Sequence, residues 1–194
     1  MMVRAGLAEP VLGSQRIFRA VLDAMAHPGR IVSVPPPLET PVPLWPATAS
    51  MCLTLVDGET PVWLDAAARR ADVIEYLRFH CGCPIAADAR EARFAVVVDP
   101  SVMPSLDAFD PGSDEYPDRS ATVIVQVDEL RTDAGLRLTG PGIESEARLD
   151  VRRLPEAFWE SVLRNHALFP RGVDLILAAG STMVALPRTT RVDD

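Results

Sequence analysis

The sequence predicts an α/β fold in which a mixed central sheet is covered by helices. Three observations carry that prediction. Strand-like and helix-like stretches alternate along the 194 residues, and no internal repeat interrupts them. Val173 to Ala179 is a short, nearly continuous apolar run between turn residues, the pattern of a strand buried on both faces. Gly180-Ser181 then forms a two-residue loop suited to a type II′ hairpin. Thr182 to Leu186 returns antiparallel from it, and Pro187, with no N–H to donate, ends the ladder.

At this length one domain spanning residues 1–194 is the expectation. Residues 1–13 read as a loose N-terminal segment. Ser14 can cap a helix whose apolar residues Ile17, Phe18, Val21, Leu22 and Met25 share one face. His27-Pro28-Gly29 ends that helix, because the residue before proline is pushed out of α space. Arg30 to Val34 reads as the first strand. Residues 35–46 hold six prolines and must form a stiff, extended arm or rim rather than an element.

Ala47 to Val56 reads as a second, mostly buried helix stopped by Asp57-Gly58, and Pro61 to Leu64 as a short strand. Ala71 to His80 reads as a third helix with Val73, Ile74, Leu77 and Phe79 turned inward. Phe94 to Val98 is a buried-looking strand closed by Asp99-Pro100. Leu106 to Phe109 reads as a helical turn, and the five acids between Asp107 and Asp118 mark a solvated loop. Ala121 to Val127 and Leu136 to Thr139 read as a pair of strands joined through Asp128 to Gly135. Pro155 suits the first turn of a last helix running to about Asn165, and Glu156 suits its positive N-terminal end.

Composition narrows the function. Lysine is absent, so all nineteen Lys and Arg residues are arginine. The chain therefore cannot form the internal Schiff base of a pyridoxal-phosphate enzyme or supply the lysine of a Walker A loop. A formal charge of −8 argues against a nucleic-acid or acidic-membrane partner held by bulk charge. A phosphate or phosphonate ligand would need a local arginine cluster within an acidic molecule. No window approaches the ~18 apolar residues of a membrane span, and residues 1–13 lack the apolar core of a secretory signal. Three cysteines do not make a disulfide framework, so a reducing cytoplasm is expected.

Several residues stand out as site candidates, each beside a plainer reading. Arg188 follows a strand end next to Thr189 and Thr190, where guanidinium and hydroxyl donors can converge on an anion or a partner. Arg78 and Arg191 are candidates of the same kind, and a surface ion pair is the alternative for all three. Asp174 sits in an apolar strand and must be paired, protonated or in a polar niche, with Arg171, Arg188 or a backbone amide as partner. Gly140 and Gly142 in Thr139-Gly140-Pro141-Gly142 offer an anion loop, but Pro141 lacks a donor and a tight turn is the plainer role. His80-Cys81-Gly82-Cys83 lacks the second ligand pair that zinc requires, so no metal is expected, and His80 reads as a helix-end histidine. No nucleophile–base–orienter set can be assembled, because the histidines fall at helix ends without a visible partner.

Four groups of motifs occur in one order: FRAVLDAMAHPGRIV (Phe18 to Val32), TPVWL with LRFH (Thr60 to Leu64, Leu77 to His80), LRLTGPGI (Leu136 to Ile143), and FPRGVDLIL with LPRTTRV near the C-terminus. Together they resemble the PhnH family, a subunit of the bacterial carbon–phosphorus lyase system for phosphonate use, over Phe18 to Val192. The resemblance implies a three-layer α/β/α sandwich related to the pyridoxal-phosphate transferase topology but without the cofactor. It implies a non-catalytic subunit that works with PhnG, PhnI and PhnJ, and is homodimeric when isolated. With PhnG, PhnI and PhnL it would help couple methylphosphonate to the ribose of ATP, releasing adenine. ATP would thus be a substrate of the complex rather than a cofactor of this chain. A purely structural scaffold subunit and an independent small-molecule-binding α/β enzyme are the alternatives.

Overall fold

The computed structural model describes residues 4–155 and 157–193. A six-stranded sheet forms its centre, with strands β1 (Val32–Ser33), β2 (Val62–Leu64), β3 (Phe94–Val97), β4 (Thr122–Gln126), β7 (Asp174–Ala179) and β8 (Thr182–Leu186). Their spatial order is β1-β8-β7-β4-β3-β2. β2, β3, β4 and β7 run parallel, whereas β8 returns antiparallel to β7 and pairs antiparallel with β1. Ala179 lies opposite Thr182, so Gly180-Ser181 is the two-residue connection that the sequence predicts. Gly180 takes a positive φ of 59° and Ser181 does not, as a type II′ turn requires.

The sheet sorts its side chains by strand alternation. Ile124, Ile176, Ala178, Met183 and Ala185 face helix α1 (Pro10–Ala26) and helix α2 (Pro46–Leu55) through Ile17, Val21, Ala24 and Met51. Towards β2 the same side is continued by Val62, Leu64 and Val96 against α3 (Ala71–Cys81) through Val73, Tyr76 and Leu77. Val123, Val125, Leu175, Leu177 and Val184 face the other way, onto Phe158 and Val162 of α4 (Ala157–Ala167). They share that side with a second sheet of order β6-β5-β9, made of β5 (Glu129–Thr139), β6 (Ala147–Arg152) and β9 (Arg191–Asp193).

This corrects the expected pairing of residues 121–127 with 136–139. Val123, Ile124 and Val125 are all fully buried, so β4 needs cover on both faces and takes a central place between β3 and β7. In β5 only Leu138 is fully enclosed, and charged residues alternate with apolar ones. Such a strand suits a sheet with one wet face, and β5 therefore pairs with β6 and β9.

Other corrections are local. α1 begins at Pro10 rather than at Ser14, so residues 10–13 are helical and not loose. Proline suits N1 because the N–H it lacks has no intrahelical partner there. Residues 4–7 are also held: Gly6 O accepts from Leu38 N at 2.9 Å, and Ala5 N donates to Glu39 Oε2 at 2.6 Å. Phe79 points outward, 68 % exposed, because Val73, Tyr76 and Leu77 already fill the inner face of α3. The first strand contracts to Val32–Ser33. Pro155 lies ahead of α4, which begins at Ala157, and not in its first turn as expected; its carbonyl accepts from Phe158 N at 2.9 Å, and Glu156 lies outside the described residues.

The proline arm is fastened across the carboxyl edge of the parallel strands. Gln126, at the end of β4 and almost fully buried, accepts from Trp45 N at 2.7 Å and donates to Pro43 O at 3.1 Å. Ala47 N donates to Gly180 O at 3.0 Å, and Ser50 Oγ donates to Pro35 O at 2.6 Å. At the same edge Asp65 is buried and accepts from the N–H groups of Ala68, Val98 and Asp99 at 2.8 to 2.9 Å. No helix among the described residues is long and apolar enough to cross a membrane.

Candidate functional site

The motifs from α1, β5 and the C-terminal hairpin meet at one corner, around the C-terminal end of α1. Gly142 is the hinge of this corner. Its φ is +85°, and a Cβ there would lie 2.2 Å from Ala26 O, so only glycine lets the 140–142 turn reach the helix end. Gly140 similarly sits against Thr189 O, and Ile143 N donates to Gly140 O at 3.1 Å. Both glycines are therefore explained by a tight turn packed on its neighbours.

A cleft opens on each side of this turn. The first, about 700 Å³, lies between His27, Arg30 and Ile31 on one wall and Thr132, Glu144, Glu146 and Arg148 on the other. His27 Nδ1 lies 3.0 Å from both the carbonyl oxygen and Oδ1 of Asp23, one helical turn earlier. Both contacts are acceptors, so Nδ1 carries the proton and Nε2 is left with no partner among the described residues. Arg30 Nη1 reaches the same Asp23 Oδ1 at 3.4 Å. The second cleft, about 560 Å³, is mainly apolar, with Met25, Pro117, Pro141, Phe169, Pro170 and Pro187 around a floor of Asp174 and Arg188.

That floor settles the geometry of the strongest sequence candidate. Arg188 turns inward, its side chain 13 % exposed. Nη2 contacts Asp174 Oδ2 at 2.6 Å and Ser120 Oγ, Nε donates to Asp174 Oδ1 at 3.2 Å, and Nη1 donates to Pro117 O at 2.6 Å. The Arg188 N–H also donates to Asp174 Oδ1, at 2.9 Å. Asp174 opens β7 and Arg188 follows β8, so the hairpin itself sets the two side by side. Four of the five guanidinium N–H donors are taken, and the second N–H of Nη1 has no partner among the described residues. Arg188 is a brace for the rim, and Asp174 is its counter-ion.

The remaining candidates are scattered. His80 lies on α3, where Nε2 sits 2.9 Å from Arg4 O and the ring packs on Tyr76, Phe79 and Gly6, so it pins the N-terminal strand of chain. Arg78 is exposed on the same helix beside Phe79. Thr189 borders the second cleft. Arg191 stands on the outer face of β9 and pairs with Asp193 at 3.3 Å. Cys52, Cys81 and Cys83 are free thiols; burial pushes all three upward, Cys81 to about 12. No group of three or more His, Cys, Asp or Glu among the described residues is placed to hold a metal.

Sequence reasoning missed Asp23–His27, Arg30 and Arg148. The first was visible as an acid and a histidine four residues apart on a helix, the spacing at which side chains meet. The role of Arg148 needs the β5–β6 register and had no local signal.

Comparison with known proteins identifies the lineage. A family model described as bacterial phosphonate metabolism protein (PhnH) matches residues 5–193. The chain belongs to the PhnH family. It is 37% identical over 186 residues to the alpha-D-ribose 1-methylphosphonate 5-triphosphate synthase subunit PhnH of Rhizobium meliloti (strain 1021), covering 96% of this chain and 93% of that protein. It is 31% identical over 179 residues to the putative C-P lyase subunit protein HtxG of Stutzerimonas stutzeri, covering 92% and 85%. Within this PhnH chain, the segments 18–32, 136–143, 169–177 and 186–192 that suggested the family build the two-cleft corner, whereas 60–64 and 77–80 lie on β2 and α3.

Proposed function

We propose that this chain is the PhnH subunit of a cytoplasmic complex that makes α-D-ribose 1-methylphosphonate 5-triphosphate from ATP and methylphosphonate, with release of adenine. The observation that carries this reading is the 37% identity to a synthase subunit across nearly the full length of both chains. PhnG, PhnI and PhnL are its partners for that step, and PhnJ joins them in the carbon–phosphorus lyase core. The isolated chain is a homodimer. Its domain is an α/β/α sandwich related in topology to the pyridoxal-phosphate transferases; it uses no such cofactor, in keeping with a sequence that lacks lysine.

The chain is non-catalytic alone and shapes part of a composite site. Both clefts are open to solvent, most of the Arg188 fork is spent on internal contacts, and His27 makes no hydrogen bond to Thr132, the hydroxyl that lines its cleft. An open cleft with an oriented imidazole and two arginines is half of a site, to be closed by another subunit. A scaffold role is the second reading, favoured by the exposed Phe79 beside Arg78 on a segment with family character.

Adenine release from ATP plus methylphosphonate, by subunits reconstituted with and without this chain, tests the proposal. Release by the full set, its loss when the chain is omitted, and no release by the chain alone are expected. Turnover by the purified chain alone, or full activity without it, would sink the reading.

A further inference from the structure

In the β5–β6 ladder, Arg137 stands directly opposite Arg148. Like charges in register across two antiparallel strands repel, and Arg148 of this pair lines the first cleft. The carboxylate between them is Glu146. One of its oxygens lies 3.9 Å from Arg137 Nη1 and the other 3.9 Å from Arg148 Nη2. Both separations exceed hydrogen-bond length, so Glu146 offsets the charge without engaging either fork. Asp193 takes the other side of Arg137 at 3.4 Å, but it is shared with Arg191, and among the described residues Arg148 Nη1 has only Gly135 O, at 3.3 Å. Across the cleft Arg30 has, among the described residues, a single 3.4 Å ion-pair contact, to Asp23, and His27 lines the same space.

We propose that the Arg137–Arg148 pair, with Arg30 opposite, is a binding site for a tetrahedral oxyanion of the phosphate or phosphonate class. Such an anion replaces the carboxylate of Glu146 between the two guanidiniums and makes the short, forked hydrogen bonds that the carboxylate does not. Glu146 precedes β6 in an irregular segment, so it can swing aside without disturbing the ladder. It acts as a resident competitor that keeps the cleft near neutral when empty. The other acid on the wall, Glu144, lies nearer the turn and disfavours a second anion there. This is the local arginine cluster that an acidic chain needs to hold such a ligand, built from arginines other than Arg188, Arg78 and Arg191. That the anion belongs to the synthase reaction rests on the reading above; the binding itself does not.

Calorimetric titration of the isolated chain with inorganic phosphate, methylphosphonate and tripolyphosphate, at about 50 mM salt where screening is weak, tests the site. Binding of at least one anion is expected, weakened about tenfold by R148Q and by R137Q. E146Q removes the competitor and tightens binding several-fold, which a merely structural ion pair would not do. Preference for methylphosphonate assigns the site to the phosphonate, and preference for tripolyphosphate to a nucleotide phosphate tail; either supports the proposal. Circular dichroism confirms that each variant is folded. Absence of binding in both wild type and E146Q overturns the site, as does affinity unchanged in R148Q. If anions bind as described but the reconstituted complex does not need the chain, the functional reading fails and the site stands.

Discussion

Arg188 and Asp174 lock the closing hairpin to the sheet rim by a two-point contact, Nη2 to Oδ2 at 2.6 Å and Nε to Oδ1 at 3.2 Å. Both side chains are less than one-fifth exposed. Removing either charge strands the other where water cannot fully solvate it. Arg188→Ala should therefore lose about 3 kcal/mol of folding stability, and Asp174→Ala a similar amount. Urea denaturation of each variant and of the double variant checks this. A double variant less damaged than the sum of the two singles is the signature of a coupled pair. A fully stable R188A would show that the pair is dispensable.

Gly142 should tolerate no side chain. Alanine there would place its Cβ 2.2 Å from Ala26 O while φ is +85°, so the turn must retreat from α1 and both clefts change shape. We expect Gly142→Ala to lower the melting temperature by several degrees, about 2 kcal/mol. The control is Gly180→Ala, whose Cβ meets nothing within 4 Å and which suffers only the backbone cost of its positive φ. Equal effects at the two positions would contradict the packing argument.

Asp65 holds three backbone N–H groups at the ends of β2 and β3. Asp65→Ala leaves those donors buried and unpaired, a loss of about 3 kcal/mol that denaturant titration would read. Asp65→Asn retains one acceptor oxygen and should recover part of that loss. Equal damage from Ala and Asn would argue against the hydrogen-bond account.

The thiols should be sluggish and alkali-sensitive. Cys81 is pushed to about 12 by burial and, secondarily, by Cys83, so little thiolate exists near pH 8. Alkylation of the native chain at pH 8 should be far slower than that of the unfolded chain. The raised folded value also fixes the sign of the pH effect. The stabilisation is complete below the unfolded value of about 9 and is lost as pH rises from there towards 12. Thermal melts from pH 8 to 11 should fall less steeply for Cys81→Ala than for wild type.

Much of the fold was legible because its centre is written in local pattern. The run Val173 to Ala179, the Gly180-Ser181 turn and the stop at Pro187 specify β7 and β8 with almost no tertiary information. The second sheet was not legible, because β6 mixes Arg148, Asp150 and Arg152 with Leu149 and Val151 and reads as polar until its partner is known. The site was partly legible: segments 18–32, 136–143, 169–177 and 186–192 stand out in the sequence, whereas the wall of the first cleft at 144–148 does not. A strand-end position reveals the reach of Arg188 but not how much of its fork Asp174, Ser120 and Pro117 hold. Arg137 facing Arg148 is a fact of register, and register is invisible in either segment alone.

The proline arm bears on where chemistry can occur. Open parallel sheets usually hold their ligands in the crevice beyond the carboxyl ends of the strands. Over β4 and β7 that crevice contains Pro43, Trp45 and Ala47, bound through Gln126 and Gly180. A tethered occupant has an effective concentration that a freely diffusing metabolite seldom matches, and six prolines keep this one already extended. The carboxyl edge is thus self-ligated. The two clefts of the α1 corner lie at the opposite rim, the end where β7 begins and β8 stops, and an incoming subunit finds that rim unobstructed by the arm.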